Sequence, residues 1–575
     1  MKKIALIASA FALFSPGCPW AQDLHKDINV EQAITPTKRD ASRISVLPTV
    51  ALPPIKAATL NYSNKVVTTR VPNSVTTLDP VAWGDRLYTS PYKGYFNLGA
   101  GMPVLTGDIS AGYRILDNDK TRMSLWGQYN GDLYKREHIT WHDHTASIGL
   151  DLHQAVGSKA FIDGGVDYTY GFHDMMGADG RFSQSTSRAN IAASISAEHS
   201  GLSYLAGIRL QHFGFYNPHF PGDEISIEDP YNGYEPVRQN LAGITLQGRL
   251  ETSASSHIGL SVNADFLATG KHYEAALPFF DEDAALIPSR TSGLVKATPY
   301  YEYHNASATV RIGAEVDLSI KSGKAIHFAP DVTLAWHGSQ IFGAELRVHG
   351  GSQLNTLASL YDITPYINGS VAYRQSHIPY AIDGKIALGP FFGGTVELFG
   401  GYAKADNWLM PVANDIYPAG AVWESTDVTG YHYGIRLGYD NGKTFAMNVS
   451  YEGAPGKWDR AYFEWRDRAR HVVNAGLKFR PIERLLLTVG YEFRAGRSCY
   501  AYIDEPEEIG GLETYPREKV SLGVTGNLSA GAGYTVTDRF TVFARGENLL
   551  ARKSLFIGGR PMQSTNAMIG AALKF

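Results

Sequence analysis

The stretch that decides the fold is residues 308–320, which read ATVRIGAEVDLSI. One set of alternate positions is apolar: Ala308, Val310, Ile312, Ala314, Val316, Leu318 and Ile320. The intervening set is polar or small: Thr309, Arg311, Gly313, Glu315, Asp317 and Ser319. Side chains of a β-strand point alternately to opposite faces, so this alternation predicts a long strand with one apolar face and one charged face.

Three further stretches alternate in the same way, at residues 431–439, 445–451 and 485–493. The strands run to roughly ten residues, whereas strands of soluble proteins have about five or six. Their polar faces place charges beside glycine, as a water-filled lumen allows, and their apolar faces end in Tyr, Phe or Trp, as in the girdles of membrane barrels. The pattern therefore predicts an all-β fold, a transmembrane antiparallel β-barrel.

The composition narrows the choice in the same direction. The chain has 575 residues, whereas a single soluble core stops growing at about 250–300 residues. Charged residues make up 19% of the chain, below the roughly 25% of soluble domains. No stretch reaches the ~18 consecutive apolar residues of a spanning helix, so a closed barrel is the remaining way to cross a membrane. The net charge of −4 gives no electrostatic footprint for nucleic acid.

The first 21 residues have the pattern of a signal peptide. Lys2 and Lys3 form a charged start, residues 4–14 are apolar, and Ala21 supplies a small residue at the expected cleavage site. A lipoprotein anchor at Cys18 is the alternative, although residues 15–17 make a poor lipobox. Cleavage after Ala21 would leave Cys499 as the only cysteine, which excludes a disulfide framework.

The connections between strands alternate in length, as do the periplasmic turns and external loops of outer-membrane barrels. Short turns are predicted at residues 117–120, 157–159, 200–201, 252–256, 304–305, 440–443, 481–483 and 537–539. Long connections are predicted at residues 134–144, 173–185, 215–238, 269–292, 350–383, 405–429, 453–468, 498–517 and 551–563. Counting from residue 93 gives about 22 strands. The first is expected at residues 93–101 and the last at 565–575, and the central residues 327–350 and 384–400 are the hardest to assign.

Residues 22–92 have a different character from the rest of the chain. They are rich in proline and show no sustained period. Because proline removes the donors of a sheet ladder, we expect a short irregular segment that lies at the periplasmic mouth or enters the lumen. The predicted organisation is a signal peptide at residues 1–21, this segment at residues 22–92, and an outer-membrane barrel at residues 93–575.

The C-terminal region resembles the barrel of TonB-dependent receptors. Residues 540–550, FTVFARGENLL, are similar to the penultimate strand of these receptors, which commonly ends in Asn-Leu, here Asn548 and Leu549. Residues 557–561 look like their last external loop, and residues 565–575 look like their final strand, with Phe575 as the terminal aromatic residue that the outer-membrane assembly machinery reads. The family places a plug of well over a hundred residues before the barrel, whereas only residues 22–92 stand there in this chain.

Several residue clusters could carry chemistry, but each has a plainer explanation. His138, His142 and His144 with Asp143 could bind a metal, although a solvated polar loop is the better interpretation because no fourth ligand is evident. The acidic run at residues 281–283 could bind a divalent cation, but it lacks the ligand spacing of a calcium loop.

Aromatic side chains of the long connections could bind a sugar or a partner, although interfacial anchoring explains them better. They are Trp408, Trp423, Tyr462 and Trp465. The expected lumenal charges are mixed in sign, so pairing across strands is a better interpretation than a substrate track. These charges are Arg311, Glu315, Asp317, Arg436, Glu452, Lys478, Arg480, Glu492, Arg494, Arg545 and Glu547. No catalytic set, cofactor site or metal site is predicted, so an enzyme is not expected.

Two functions remain open at this point. The resemblance implies transport or uptake across the outer membrane, and the expected partners are outer-membrane lipid and lipopolysaccharide and the barrel-assembly machinery. The alternative is a barrel that transports nothing and serves as a scaffold subunit of an envelope complex. A lumen of this width must be closed by residues 22–92, by external loops, chiefly residues 350–383, or by a partner protein.

Overall fold

The computed structural model describes residues 92–136, 139–157, 159–177, 180–219, 238–270, 291–339, 341–363, 375–413, 421–454, 456–458, 469–502, 507–509, 512–514, 517–552 and 565–575. Within these residues the chain is almost entirely β-structure, with one short helix, α1, at Leu357–Ile363. In the same part of the chain, no helix is long and apolar enough to cross a bilayer. The signal peptide and the segment at residues 22–91 lie outside the described residues.

The strands follow one another along the chain at short intervals. They are β1 Gly94–Met102, β2 Leu105–Asp117, β3 Thr121–Arg136, β4 Ile139–Val156, β5 Ala160–Gly177, β6 Gly180–His199, β7 Leu202–His219, β8 Arg238–Ser253, β9 Ser256–Thr269, β10 Thr291–His304, β11 Ala308–Ile320, β12 Ile326–Ser339, β13 Phe342–Gln353, β14 Ser376–Phe391, β15 Gly394–Ala413, β16 Ala421–Asp440, β17 Phe445–Gly453, β18 Gly456–Trp458, β19 His471–Ile482, β20 Leu485–Tyr502, β21 Glu507–Ile509, β22 Leu512–Thr514, β23 Arg517–Thr537, β24 Phe540–Glu547 and β25 Asn566–Lys574.

The sheet closes on itself as an antiparallel barrel. The last strand, β25, pairs with β1, for example Ala571 with Leu98. The sheet holds 23 strands, and β18 lies beside β16 beyond the end of β17, so the circumference has 22 strands. The remaining two strands, β21 and β22, form a separate hairpin. The predicted all-β barrel of about 22 strands is confirmed, and its first and last strands lie within one residue of the predicted ones.

The two faces of the wall have opposite chemistry. The apolar residues predicted for one face of β11 point outward, and Ile312 is 56% exposed, as is typical of side chains that meet acyl chains. Aromatic pairs cluster at both ends of the outward face, such as Tyr433 with Tyr451 at one end and Trp336 with Phe342 at the other. A closed barrel with an apolar outer band between two aromatic bands is a membrane-spanning structure of the outer-membrane type.

The connections also follow the outer-membrane pattern, with two corrections. The predicted short turns all lie between consecutive strands at one end of the barrel, the periplasmic end. The predicted long connections at residues 134–144 and 173–185 are wrong. There β3 continues to Arg136 and β4 begins at Ile139, while β5 and β6 continue to Gly177 and from Gly180. These polar, His-rich residues pair across strands, and their polarity reflects the solvent beyond the membrane rather than a loop.

Candidate functional site

The connection between β13 and β14 turns into the barrel, and we call residues 354–375 the strap. Its described part contains α1, whose start is fixed by a reciprocal cap. The Ser359 N–H donates to Thr356 Oγ1 at 3.0 Å, and the Thr356 N–H donates to Ser359 Oγ at 3.1 Å. This is a capping-box arrangement with serine in the place of glutamate. A second free donor of the helix start, the Leu357 N–H, reaches Gln239 Oε1 on β8 at 2.7 Å.

An apolar cluster packs α1 onto the lumenal wall. Leu357, Ala358 and Leu360 are buried against Phe213 of β7 and Leu409 of β15. Phe213 lies on the lumenal face, because its strand neighbours Ile208 and Leu210 are exposed on the outward face. Burial of a leucine side chain contributes about 1.5–3 kcal/mol. Since the strap leaves the wall at β13 and meets it again at β7 and β8, it crosses part of the lumen at the external end.

Arg188 of β6 fastens α1 from the wall. Its guanidinium donates to both carboxylate oxygens of Asp362, at 3.2 and 2.7 Å, and to the Ala358 carbonyl oxygen at 3.0 Å. The same group lies over the rings of Phe213 and Tyr361, at 5.4 and 5.9 Å from their centroids. One wall residue therefore holds the helix by hydrogen bonds, an ion pair and cation–π contacts.

Tyr361 adds a buried polar contact beside this latch. Its hydroxyl is in hydrogen-bond contact with Nε2 of His173 on β5, and His173 Nδ1 lies 2.6 Å from Asp143 Oδ1 on β4. Burial raises the pKa of the Tyr361 hydroxyl, because its charged form would lose its hydration. The hydroxyl is therefore neutral across the physiological range and can donate to the imidazole.

The base of the strap is tied to the rim by side chains of β11, β14 and β15. The Ser352 N–H donates to Asp317 Oδ2 at 2.6 Å, and Ser352 Oγ lies 3.1 Å from His377 Nδ1. On the other side, Asn407 Nδ2 donates to the Gln375 carbonyl oxygen at 2.6 Å. Asn407 holds a left-handed backbone, with φ of 53°, at a β-bulge of β15. Both ends of the strap are thus anchored where it leaves the wall.

Below the strap, the charged residues of the lumen neutralise one another. Arg311 pairs with Asp331 at 2.8 Å, Lys296 pairs with Glu315 at 2.7 Å, and Arg436 pairs with Glu397. Arg545 contacts both Glu547 and Asp108, at 3.2 and 3.8 Å. The prediction that lumenal charges pair with one another is confirmed for these residues. The lower lumen is therefore a polar surface of balanced charge.

The structure divides the predicted histidine cluster between the two faces of β4. His142 and His144 share the outward face, with ring centroids 6.0 Å apart, whereas Asp143 is lumenal and contacts His173. His142 Nδ1 lies 2.8 Å from Asp174, a fully buried carboxylate that sequence reasoning missed. In the described part of the chain, no three His, Cys, Asp or Glu side chains converge as a metal site.

Other predicted residues lie at the edges of the structure or outside it. Trp408 is half-buried on β15. His138, the acidic run at residues 281–283, Tyr462 and Trp465 lie outside the described residues, as does the side chain of Trp423.

The residues that carried the family resemblance lie near the barrel seam. Phe575 exchanges two backbone hydrogen bonds with Gly94, at 2.8 and 3.0 Å, and its ring stacks on Tyr113 with centroids 6.2 Å apart. Asn548 ends β24 in a left-handed conformation, with φ of 47°, and its Oδ1 accepts the Arg552 N–H at 3.1 Å. Leu549 follows in the turn. These contacts show how the Asn-Leu pair ends a strand, and they leave the assembly role of Phe575 a prediction.

The comparisons with known proteins support the fold. No family model matches the sequence, and no curated protein matches it. A ferric enterobactin receptor mutant from Pseudomonas aeruginosa matches with a TM-score of 0.60 at 10% identity, over 84% of this chain and 80% of that one. The FrpB iron transporter from Neisseria meningitidis matches with a TM-score of 0.61 at 11% identity, over 85% and 82%. The siderophore receptor PirA from Acinetobacter baumannii matches with a TM-score of 0.61 at 9% identity, over 84% and 80%.

These likenesses concern architecture, because the sequences are too different to carry more. The barrel of this chain has the fold of the TonB-dependent receptor barrel, as residues 540–575 indicated. The strap is the feature that sequence reasoning missed. Its signals were the Thr356–Ser359 cap and the spacing of Leu357, Leu360 and Tyr361 on one helical face.

Proposed function

We propose that this chain is an outer-membrane uptake barrel whose external mouth is narrowed by its own strap. The observation that carries the proposal is the packing of α1 against lumenal Phe213, Arg188 and Gln239. A helix that used these contacts only for stability would not need to cross an open lumen. A wide barrel in the outer membrane needs closure, and the strap supplies it in the external half.

The class of solute follows from where the strap lies and from the balance of charge below it. The paired lumenal charges, such as Arg436 with Glu397, offer no continuous track of one sign. Selection is therefore expected at the external mouth, where a solute must meet the strap first. The structural neighbours are named as siderophore receptors and an iron transporter, so ferric siderophores are the first class to test.

We assign a complementary role at the opposite mouth to residues 22–92. The strap covers only the external half of the lumen, so the periplasmic half needs another closure. We expect that removing residues 22–80 leaves a folded barrel that admits large antibiotics, measured as new sensitivity of intact cells. Unchanged sensitivity would mean that the strap or a partner protein seals the barrel without this segment.

Uptake can be tested directly in cells that lack their own siderophore receptors. Cells producing the intact chain should accumulate labelled iron from a panel of ferric siderophores above cells with an empty vector. A chain with residues 354–375 replaced by a short Gly-Ser linker should lose solute preference but retain a folded barrel. Absence of uptake and of solute flux from both chains would favour the scaffold function instead.

A further inference from the structure

Two acidic side chains lie together under the base of the strap. Glu315 and Asp317 are two residues apart on β11 and therefore share its lumenal face. Asp317 is fully buried, and its Oδ2 accepts the Ser352 N–H at 2.6 Å. Its second oxygen, Oδ1, has no hydrogen-bond donor among the described residues. Buried carboxylate oxygens are rarely left without a donor, so this atom points to a missing hydrogen.

Glu315 is placed to supply that hydrogen. Its carboxyl group is in hydrogen-bond contact with the carboxyl group of Asp317. Ionised carboxylates only accept hydrogen bonds, so a contact between two of them requires that one be protonated. The one cation that contacts the pair in the described structure is Lys296, whose Nζ lies 2.7 Å from Glu315 Oε1. One lysine for two buried acids leaves one negative charge, which a shared proton removes.

The other titratable groups around the pair come from the neighbouring strands. His327 of β12 lies opposite Asp317 in the strand register, and its ring stacks on His377 of β14 with centroids 4.1 Å apart. Lys324 lies in the connection before β12, and Asp406 of β15 lies opposite His377 in register. Two stacked imidazoles disfavour a double positive charge, so they do not replace the proton between the acids.

The pair is coupled to the strap through the end of β13. Gly351 interrupts the ladder there with a φ of 128°, and a Cβ at this position would collide with the Glu315 carboxyl group. Glycine therefore lets the backbone approach Glu315 and aim the Ser352 N–H at Asp317. Two residues later the strap begins. A change in the charge of the acid pair acts directly on this anchor.

We propose that Glu315 and Asp317 share one proton, and that this proton holds the base of the strap against the barrel wall. The proposal rests on the function proposed above for the strap. With the proton present, one carboxyl donates to the other and the pair fits its site. With the proton lost, two carboxylates in contact repel each other and pull Asp317 away from Ser352. Closure is thus present at acidic pH and weakens as the pH rises through the titration of the pair.

Infrared difference spectroscopy on the detergent-solubilised full chain tests the proton itself. The intact protein should show a carboxylic-acid C=O band that shifts in D2O and disappears at alkaline pH. The band should be absent in Asp317→Asn and in Glu315→Gln, because each amide replaces the protonated group. It should persist in Glu345→Gln, a matched control on β13 whose carboxylate pairs with Lys385 at 2.8 Å. A band that survives in Asp317→Asn overturns the shared proton.

Conductance in planar bilayers tests the link from the proton to the strap. The open probability of the intact chain should rise about tenfold from acidic to alkaline pH, the effect of one unit of pKa difference between closed and open states. In Asp317→Asn the amide still donates to Glu315 and accepts from Ser352, so the barrel should stay closed at both pH values. An open probability that ignores pH in the intact chain, while the infrared band titrates, overturns the coupling. If the linker-replaced barrel is no more conductive than the intact chain, the proposed closure by the strap fails, and the infrared result is unaffected.

Discussion

Replacing Arg188 by alanine should release α1 from the barrel wall without unfolding the barrel. Arg188 is the wall residue with the most contacts to the helix: two hydrogen bonds to Asp362, one to the Ala358 carbonyl oxygen, and cation–π contacts with Phe213 and Tyr361. Truncation removes all of them together. The neighbouring strands keep their backbone ladders, because no backbone group of β6 depends on this side chain.

The size of the effect can be worked out contact by contact. The Asp362 side chain is 60% exposed, so its ion pair is screened and contributes only about 0.5 kcal/mol. The hydrogen bond to the Ala358 carbonyl oxygen is worth about 1 kcal/mol. The cation–π contacts add about 0.5 kcal/mol at a partly exposed site. A loss of about 2 kcal/mol raises the ratio of open to closed strap about 30-fold.

Single-channel recording is the assay, and Arg209→Ala is the matched control. Arg209 is also lumenal, but it pairs with Asp265 of β9 at 2.9 Å, and in the described structure it has no contact with the strap. We expect frequent large openings in Arg188→Ala and the closed baseline of the intact chain in Arg209→Ala. Equal behaviour of the two variants, or a baseline unchanged by Arg188→Ala, would refute the latch.

Three further predictions concern the barrel itself. Ile312→Arg on the lipid face should cost about 2–4 kcal/mol of folding free energy in urea titrations, and lumenal Thr309→Ser should cost far less; equal costs would contradict the assigned faces. Deleting Phe575 should lower the yield of heat-modifiable barrel, because its hydrogen bonds to β1 close the seam, and an unchanged yield would remove its assembly role. An epitope at Gly442 should be hidden on intact cells and one at Asp281 accessible to antibody, and the reverse pattern would invert the topology.

The strands could be predicted from the sequence because their signal is local. In β11, the alternation of apolar and polar residues follows from the pleat alone, and a lipid-facing Ile312 needs no knowledge of its neighbours. Glycine positions were less predictable. Gly313 is on the lumenal face, yet an added Cβ would lie 2.8 Å from the Pro299 carbonyl oxygen and 2.9 Å from the Tyr300 Cβ. That crowding depends on the register with β10, which alternation does not reveal.

The strap could not be predicted, because its contacts join residues far apart in the sequence. Arg188 and Asp362 lie 174 residues apart, and Leu357 and Gln239 lie 118 apart. The same limit explains the divided histidine cluster. His142 and Asp143 are consecutive, so a strand sends them to opposite faces, whereas an expected loop would have allowed both to meet one ligand. The mistaken assignment of residues 134–144 as a loop produced the metal hypothesis.

The central claim is that the strap closes the lumen, and the most direct measurement is the conductance of one pair of proteins in planar bilayers. The pair is the intact chain and the chain with residues 354–375 replaced by a short Gly-Ser linker, each first shown to be heat-modifiable and folded. The account predicts a low, intermittent conductance for the intact chain and a large, steady conductance for the linker-replaced barrel. Indistinguishable conductances in two folded barrels would contradict it.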